Sequence, residues 1–154
     1  WQIVPSQRIS EALFIRRNNK YPKLIINEAN AFTTDTMHRV TVKPDVELKA
    51  LTASYYNSLS LAFTEICGRS HGGGVLELMP NEVERILLPY NENNSDLLPL
   101  IDKMIRDKKD ISEILKITNQ KILKENYGLS DSEIELADRI WKKLSNRRLN
   151  RGKQ

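Results

Sequence analysis

Five basic residues, Arg8, Arg16, Arg17, Lys20 and Lys23, fall within the first 23 positions of this 154-residue chain. Guanidinium and ammonium groups so concentrated can neutralise phosphates and fix the register of a nucleic acid. Asn27, Asn30, Thr33, Thr34, Asp35, His38 and Arg39 follow. Their amide, hydroxyl and guanidinium groups are the kinds that match base edges. Taken singly, each is as well explained by ordinary loop hydrogen bonding; the cluster is the informative feature. A second group, Arg69, Ser70 and His71, directly precedes Gly72, Gly73 and Gly74. Backbone N–H groups there could cradle an anion. A tight turn that needs glycine's conformational freedom is an equal reading.

Motifs for self-contained catalysis are missing. The chain has no G-x-S-x-G elbow, no G-K-[ST] loop, no H-E-x-x-H and no C-x-x-C. A cofactor-binding glycine loop follows a strand and opens a helix, whereas here a helical pattern precedes the glycines and a strand follows. Pro44-Asp45 with Glu47-x-Lys49 holds the ingredients of a metal-dependent nuclease. All of them sit at one helix N-terminus, where capping explains the carboxylates better than convergence on a metal does. One cysteine, Cys67, and two distant histidines cannot assemble a structural zinc site. Cys67 is expected as a buried small apolar residue near the end of a helix face.

Charge is distributed in blocks. The net charge is +4, and from Arg139 onward seven basic residues occur without an acidic one. Residues 61–99 are acidic, with Glu65, Glu77, Glu82, Glu84, Glu92 and Asp96 against Arg69 and Arg85. Basic ends around an acidic middle point to a polyanionic partner, and equally to a merely solvated basic surface. No run of about 18 apolar residues is present, so no membrane span is expected. No signal peptide is visible, and the expected location is cytoplasmic. A first residue of Trp rather than Met leads us to expect a piece of a longer polypeptide.

The elements that must position these groups read as α+β. Residues 12–17 and 23–28 are short apolar runs around an Asn-Asn-Lys-Tyr-Pro turn, and 37–43 alternate, with His38, Val40 and Val42 on one face. Residues 29–36 form a loop or an exposed strand. Asp45 is expected to cap a helix of about five turns, with Leu48, Leu51, Tyr55, Leu59, Phe63 and Ile66 on its apolar face and Gly68 as its stop. A brief strand at 75–79 and a capped turn from Asn81 to Glu84 follow. Residues 90–96 read as a polar linker between a domain over 1–90 and a helical extension over 91–154. In the extension, Ser95 or Asp96, Asp110 and Ser130 serve as caps, and Gly128 is a stop. The expected architecture is thus a small mixed or antiparallel sheet packed on a long amphipathic helix, followed by an all-helical C-terminal extension.

The pattern N-S-L-x-L-x-F-x-E-x-x-G-R-S-x-G-G-G-V-L-E-L-x-P-x-E, from Asn57 to Glu82 with a later stop at Pro89, resembles the C-terminal region of bacterial restriction–modification adenine-specific (N6) DNA methyltransferases. Val4-Pro5, Leu13-Phe14-Ile15 with Arg16-Arg17, Pro22 to Asn27, and Thr34-Asp35-x-x-His38-Arg39-Val40 extend the similarity over residues 1–90. That family's catalytic half carries a glycine loop for S-adenosylmethionine and an Asn/Asp-Pro-Pro-Tyr motif. Neither occurs here, where Leu88-Pro89-Tyr90 lacks the Asn and the first Pro. The resemblance therefore implies a target-recognition region and its extension, without cofactor of its own; S-adenosylmethionine belongs to the missing catalytic domain. The implied partners are double-stranded DNA, the upstream catalytic domain and a further subunit, with no membrane. The alternative is a protein-interaction module for subunit contacts that does not read DNA. A free-standing enzyme is disfavoured by the missing motifs.

Overall fold

The computed structural model describes residues 8–151, so Val4-Pro5 of the resemblance lies outside the described residues. β1 (Ala12–Ile15) pairs antiparallel with β3 (Leu24–Ile26) on one side and β4 (Met37–Val40) on the other. β2 (Arg17–Asn18) leaves this sheet after Arg16 and joins β5 (Arg69–Ser70) and β6 (Leu76–Glu77) in a second antiparallel sheet, ordered β2-β6-β5. The fold class is α+β, with two small antiparallel sheets and a helical C-terminal part. The β4 pairing stops at Val40, short of the expected Lys43. Its alternation holds, since Phe14 opposes His38 while Arg39 lies with Leu13 and Ile25 on the other face.

The long helix is two helices. α1 (Leu48–Tyr55) and α2 (Ser58–Cys67) meet at Asn57, which is fully buried. Asn57 Oδ1 accepts from Ser60 N–H at 2.9 Å, while its amide donates to Ser54 O at 2.7 Å. The break places Tyr55 and Tyr56 inward together. Tyr55 packs edge-on to Phe14 at 5.5 Å, and the two hydroxyls donate to Pro22 O and Leu24 O. Apolar periodicity runs through the break unchanged, so it hides the joint. The start of α1 also differs from expectation. Glu47, not Asp45, is the cap, its carboxylate accepting from Lys49 N–H and Ala50 N–H.

The acidic turn beyond β6 is shifted as well. α3 (Pro80–Val83) begins after Met79, whose N–H donates to Glu82 at 2.8 Å, so Glu82 performs the reciprocal capping expected of Glu84. Residues expected as a polar linker form a 3-10 turn over Glu92–Leu97, capped by Asn91. Its Asn94 is fully buried and joins Ser54, Pro89 O and Asn126 in one hydrogen-bonded network. Burial of a fully partnered amide makes this segment part of the packing, although its composition is that of a linker.

Beyond it lie α4 (Leu98–Arg106), α5 (Ile111–Thr118) with a π-helical continuation over Asn119–Asn126, and α6 (Asp131–Arg151). Asp110 and Ser130 act as the caps that the sequence predicts, and Gly128 ends the π-helical segment at φ +69°. Ile101, Ile114, Leu115 and Trp141 share a core with Ala12, Phe14, Leu24, Tyr55 and Leu61. Asn119 reaches α2, accepting from Ser58 N–H and donating to Ser58 Oγ. Thus the extension supplies a side chain that satisfies the helix break. Among the described residues no helix is long and apolar enough to cross a membrane.

Candidate nucleic-acid interface

The β2-β6-β5 sheet brings one of the two basic groups against the other. In register, Arg17 of β2 and Arg69 of β5 flank Glu77 of the central strand. Arg17 Nε donates to Glu77 Oε1 at 2.8 Å, Arg16 Nη2 lies 3.0 Å from the same oxygen, and His71 Nε2 lies 2.7 Å from Oε2. Arg69 turns instead to Glu82. Strands separated by some 60 residues in the chain thus place opposite charges side by side, the favourable cross-strand arrangement. In the sequence, Glu77 and Glu82 read only as members of an acidic block. Residues 75–79 are apolar on both sides of Glu77 and do not alternate, so no local signal singles it out as the partner of the basic strands.

Glu77 is nearly buried by its neighbours, while Arg17 keeps 63% of its side chain exposed. The Arg17 hydrogen bond, and then the charges of Arg17, Arg16 and His71, hold the Glu77 carboxyl below the usual glutamate value. Glu82 is held low too, chiefly by the Met79 N–H and then by Arg69. A carboxylate depressed on folding contributes stability that is complete above its ordinary value near 4.5 and is lost as pH falls through the depressed value. Glu77→Gln is therefore expected to flatten the acid limb of the stability curve, with little change in its slope above pH 6. Equilibrium unfolding across pH 2–7 measures this; an acid limb identical to the parent's would show that Glu77 carries no such linkage.

Other basic candidates are distributed around the sheets. Arg8, Lys20 and Arg39 are exposed and Lys23 is half-buried. Among the described residues, Lys20, Lys23 and Arg39 have no carboxylate within ion-pair distance. Arg16 is less available: its guanidinium also contacts Met79 Sδ and Asp35 O, and its Nε is buried without a partner among the described residues.

The polar loop is braced from beneath. Asn27 is buried, donating to Ser10 O and Ala31 O and accepting from Ala31 N–H. It is the loop's internal strut, a correction to its reading as a base-edge group. Asn30 is exposed at φ +51°, a left-handed position that asparagine tolerates. Thr34 is exposed and shares a hydroxyl hydrogen bond with Thr36, and Thr33 is half-buried. His38 Nε2 donates to Leu78 O at 2.7 Å, with its ring stacked on Phe14. It therefore ties the first sheet to the chain leaving the second, and Asn30, Thr34, Asp35 and Arg39 are the members of this polar group left exposed.

At the glycine junction Gly68 stops α2 as expected, its N–H donating to Thr64 O at 3.0 Å, but it lacks the left-handed geometry of a usual glycine stop. Gly68 is extended at φ −80°, and a Cβ there would come within 2.7 Å of Leu76 Cδ1 and 3.0 Å of Thr64 O. Close approach, not positive φ, requires glycine at 68. Gly73 and Gly74 do take positive φ, closing a turn pinned by His71 N–H to Val75 O. A Cβ on Gly74 would lie 3.2 Å from Leu149 Cα, so this turn is where the end of α6 docks.

Arg148 completes that docking. Its Nε and Nη2 donate to Glu65 at 3.0 and 2.6 Å, Nη1 donates to Asn19 O and Gly74 O, and Nη2 also donates to Lys20 O. All five guanidinium donors are used. In the sequence Arg148 is indistinguishable from the other charges of the basic tail. Among the described residues no cluster of His, Cys, Asp or Glu is arranged to hold a metal.

A family model described as type II methyltransferase M.Eco57I, C-terminal domain, matches residues 1–123. The match covers both sheets and continues through α4, α5 and most of the π-helical segment. No curated protein and no solved structure gives a significant match.

Proposed function

The chain belongs to the family of type II methyltransferase C-terminal domains, and from that premise we propose that it is the DNA target-recognition part of an adenine-specific methyltransferase. The family match over residues 1–123 carries the reading. In this reading the chain holds and reads double-stranded DNA, and a catalytic domain elsewhere in the polypeptide binds S-adenosylmethionine and acts on the flipped adenine. Support comes from the braced loop that presents Asn30 and Thr34, and from Arg39 on the outer face of the first sheet. Lys20 and Lys23 would contact phosphates, as would Arg8, Arg17 and Arg69, the last two while retaining their carboxylates. Ser70 and His71 would approach DNA beside them. Thr33, Arg16 and His38 would serve mainly by positioning that surface.

Lys20→Ala combined with Arg39→Ala in the methyltransferase that carries this domain tests the reading. For every phosphate no longer neutralised, the plot of log K against log salt is expected to become shallower by about 0.9. DNA affinity should fall while thermal stability is kept, since both side chains are exposed and unpaired among the described residues. Unchanged affinity and slope would remove the proposed surface.

A second reading, association with another subunit, is favoured by Leu136 and Ile140 of α6, which are 49% and 37% exposed and one helical turn apart. If that association were the main role, Leu136→Glu would abolish it and the charge variants would leave DNA binding intact.

A further inference from the structure

A cavity of about 200 Å³ opens where the end of α2, the β5-β6 pair and the last two turns of α6 meet. It is smaller than the roughly 300–1,000 Å³ of sites that enclose a drug-sized ligand, so it fits a single group better than a whole cofactor. Gly68, Ser70 and Leu76 line it from the side of the second sheet. The helical spacing of Leu144, Arg147, Arg148 and Arg151 turns all four toward it.

The charges around it are unequal. Glu65 and Arg148 line the cavity but neutralise one another, with side chains only 4% and 2% exposed. Arg147 and Arg151 are exposed and, among the described residues, have no carboxylate within ion-pair distance. Three arginines against one glutamate leave a surplus of two positive charges at this opening. The Ser70 hydroxyl has no intramolecular partner among the described residues, and Asn18, cross-strand from Leu76 on the same sheet face, has both amide atoms buried without one. A concave site with two free guanidinium forks and a hydroxyl suits a phosphate, which accepts paired N–H donors.

We propose that this cavity seats one backbone phosphate of the bound DNA, with Arg147 and Arg151 as its charged ligands and Ser70 as a hydroxyl donor. The inference rests on the DNA-recognition reading and extends it to α6, beyond the surface formed by the sheets. The internal ion pair of Arg148 and Glu65 acts as a scaffold that holds the two outer arginines at the rim. Such a contact carries no sequence information, so it strengthens binding to any duplex and fixes register.

Arg147→Ala with Arg151→Ala, in the methyltransferase that carries this domain, should weaken cognate and non-cognate DNA by the same factor. The salt plot should become shallower by about 0.9, the share of one phosphate. Arg147→Lys with Arg151→Lys, which keeps both charges, should retain most of the slope; a loss equal to that of the alanine pair would overturn the charge argument. An unchanged slope in the alanine pair, while Lys20→Ala with Arg39→Ala weakens binding, would overturn the cavity assignment and leave the recognition reading standing. If neither pair altered DNA binding, both would fall. Inorganic phosphate titrated at fixed ionic strength separates the sources. Saturable phosphate binding that disappears in the alanine pair, with an unaltered DNA slope, would assign the cavity to a free phosphate and overturn the backbone contact.

Discussion

Arg148→Ala is expected to lower the unfolding free energy by about 3–5 kcal/mol, the range for removing one partner of a buried ion pair. That is a large share of the roughly 5–15 kcal/mol that holds an ordinary domain together. The loss is severe because it strands Glu65, whose side chain is 4% exposed, together with the carbonyls of Asn19, Lys20 and Gly74. Arg148→Lys should rescue little. An ammonium has three donors and no planar fork, whereas the guanidinium here spreads its donors over a carboxylate and three carbonyls. Replacing both partners, Arg148→Met with Glu65→Leu, should recover part of the loss by removing the uncompensated charge, but not the carbonyl partners. Chemical denaturation of the parent and these variants gives the stability changes, and hydrogen exchange along α6 shows whether its last turns detach from Gly74. A loss below about 1 kcal/mol for Arg148→Ala, the level of an exposed pair, would mean that this one does not anchor the helix.

The second large effect is expected at the joint between α1 and α2. Asn57→Ala should cost about 1.5–5 kcal/mol, combining a missing helix cap worth about 0.5–2 with a buried polar group left unpartnered at about 1–3. Three bonds disappear together, to Ser60 N–H, Ser60 Oγ and Ser54 O. Asn57→Ser should lose less, since a hydroxyl can still cap Ser60. The sign of the alanine result is itself decisive. If one continuous helix over these residues were a close competitor, alanine, the best helix former, would be neutral or stabilising there. A measured stabilisation would therefore refute the role of Asn57 as a buried hinge cap.

These two sites also divide what is visible along the chain from what the folded molecule adds. The apolar run at β1, the alternation at β4, the Asp110 and Ser130 caps and the Gly128 stop are visible because each is a relation among residues a few positions apart. Local hydrogen bonds and side-chain periodicity determine them, and the pattern from Asn57 to Glu82 is enough to indicate the family. The helix break is hidden because Leu48 to Ile66 keeps one apolar period across it. What makes the break stable is Asn119, some 60 residues away, accepting from Ser58 N–H.

Charge pairing is illegible for the same reason. Arg16 and Arg17 read as free phosphate ligands because nothing in the sequence says which carboxylate will face them. The β2-β6 register selects Glu77, and the docking of α6 selects Glu65 for Arg148. The sequence by itself determined the α+β class, the helix ends at Gly68, Asp110, Gly128 and Ser130, the basic and polar inventory and the family. Only the tertiary structure decided which members of that inventory are consumed inside the protein and which are left facing solvent. The physical reason is that burial strengthens an electrostatic contact only where two groups meet in space, and meeting across 60 to 83 residues is a property of the assembled chain.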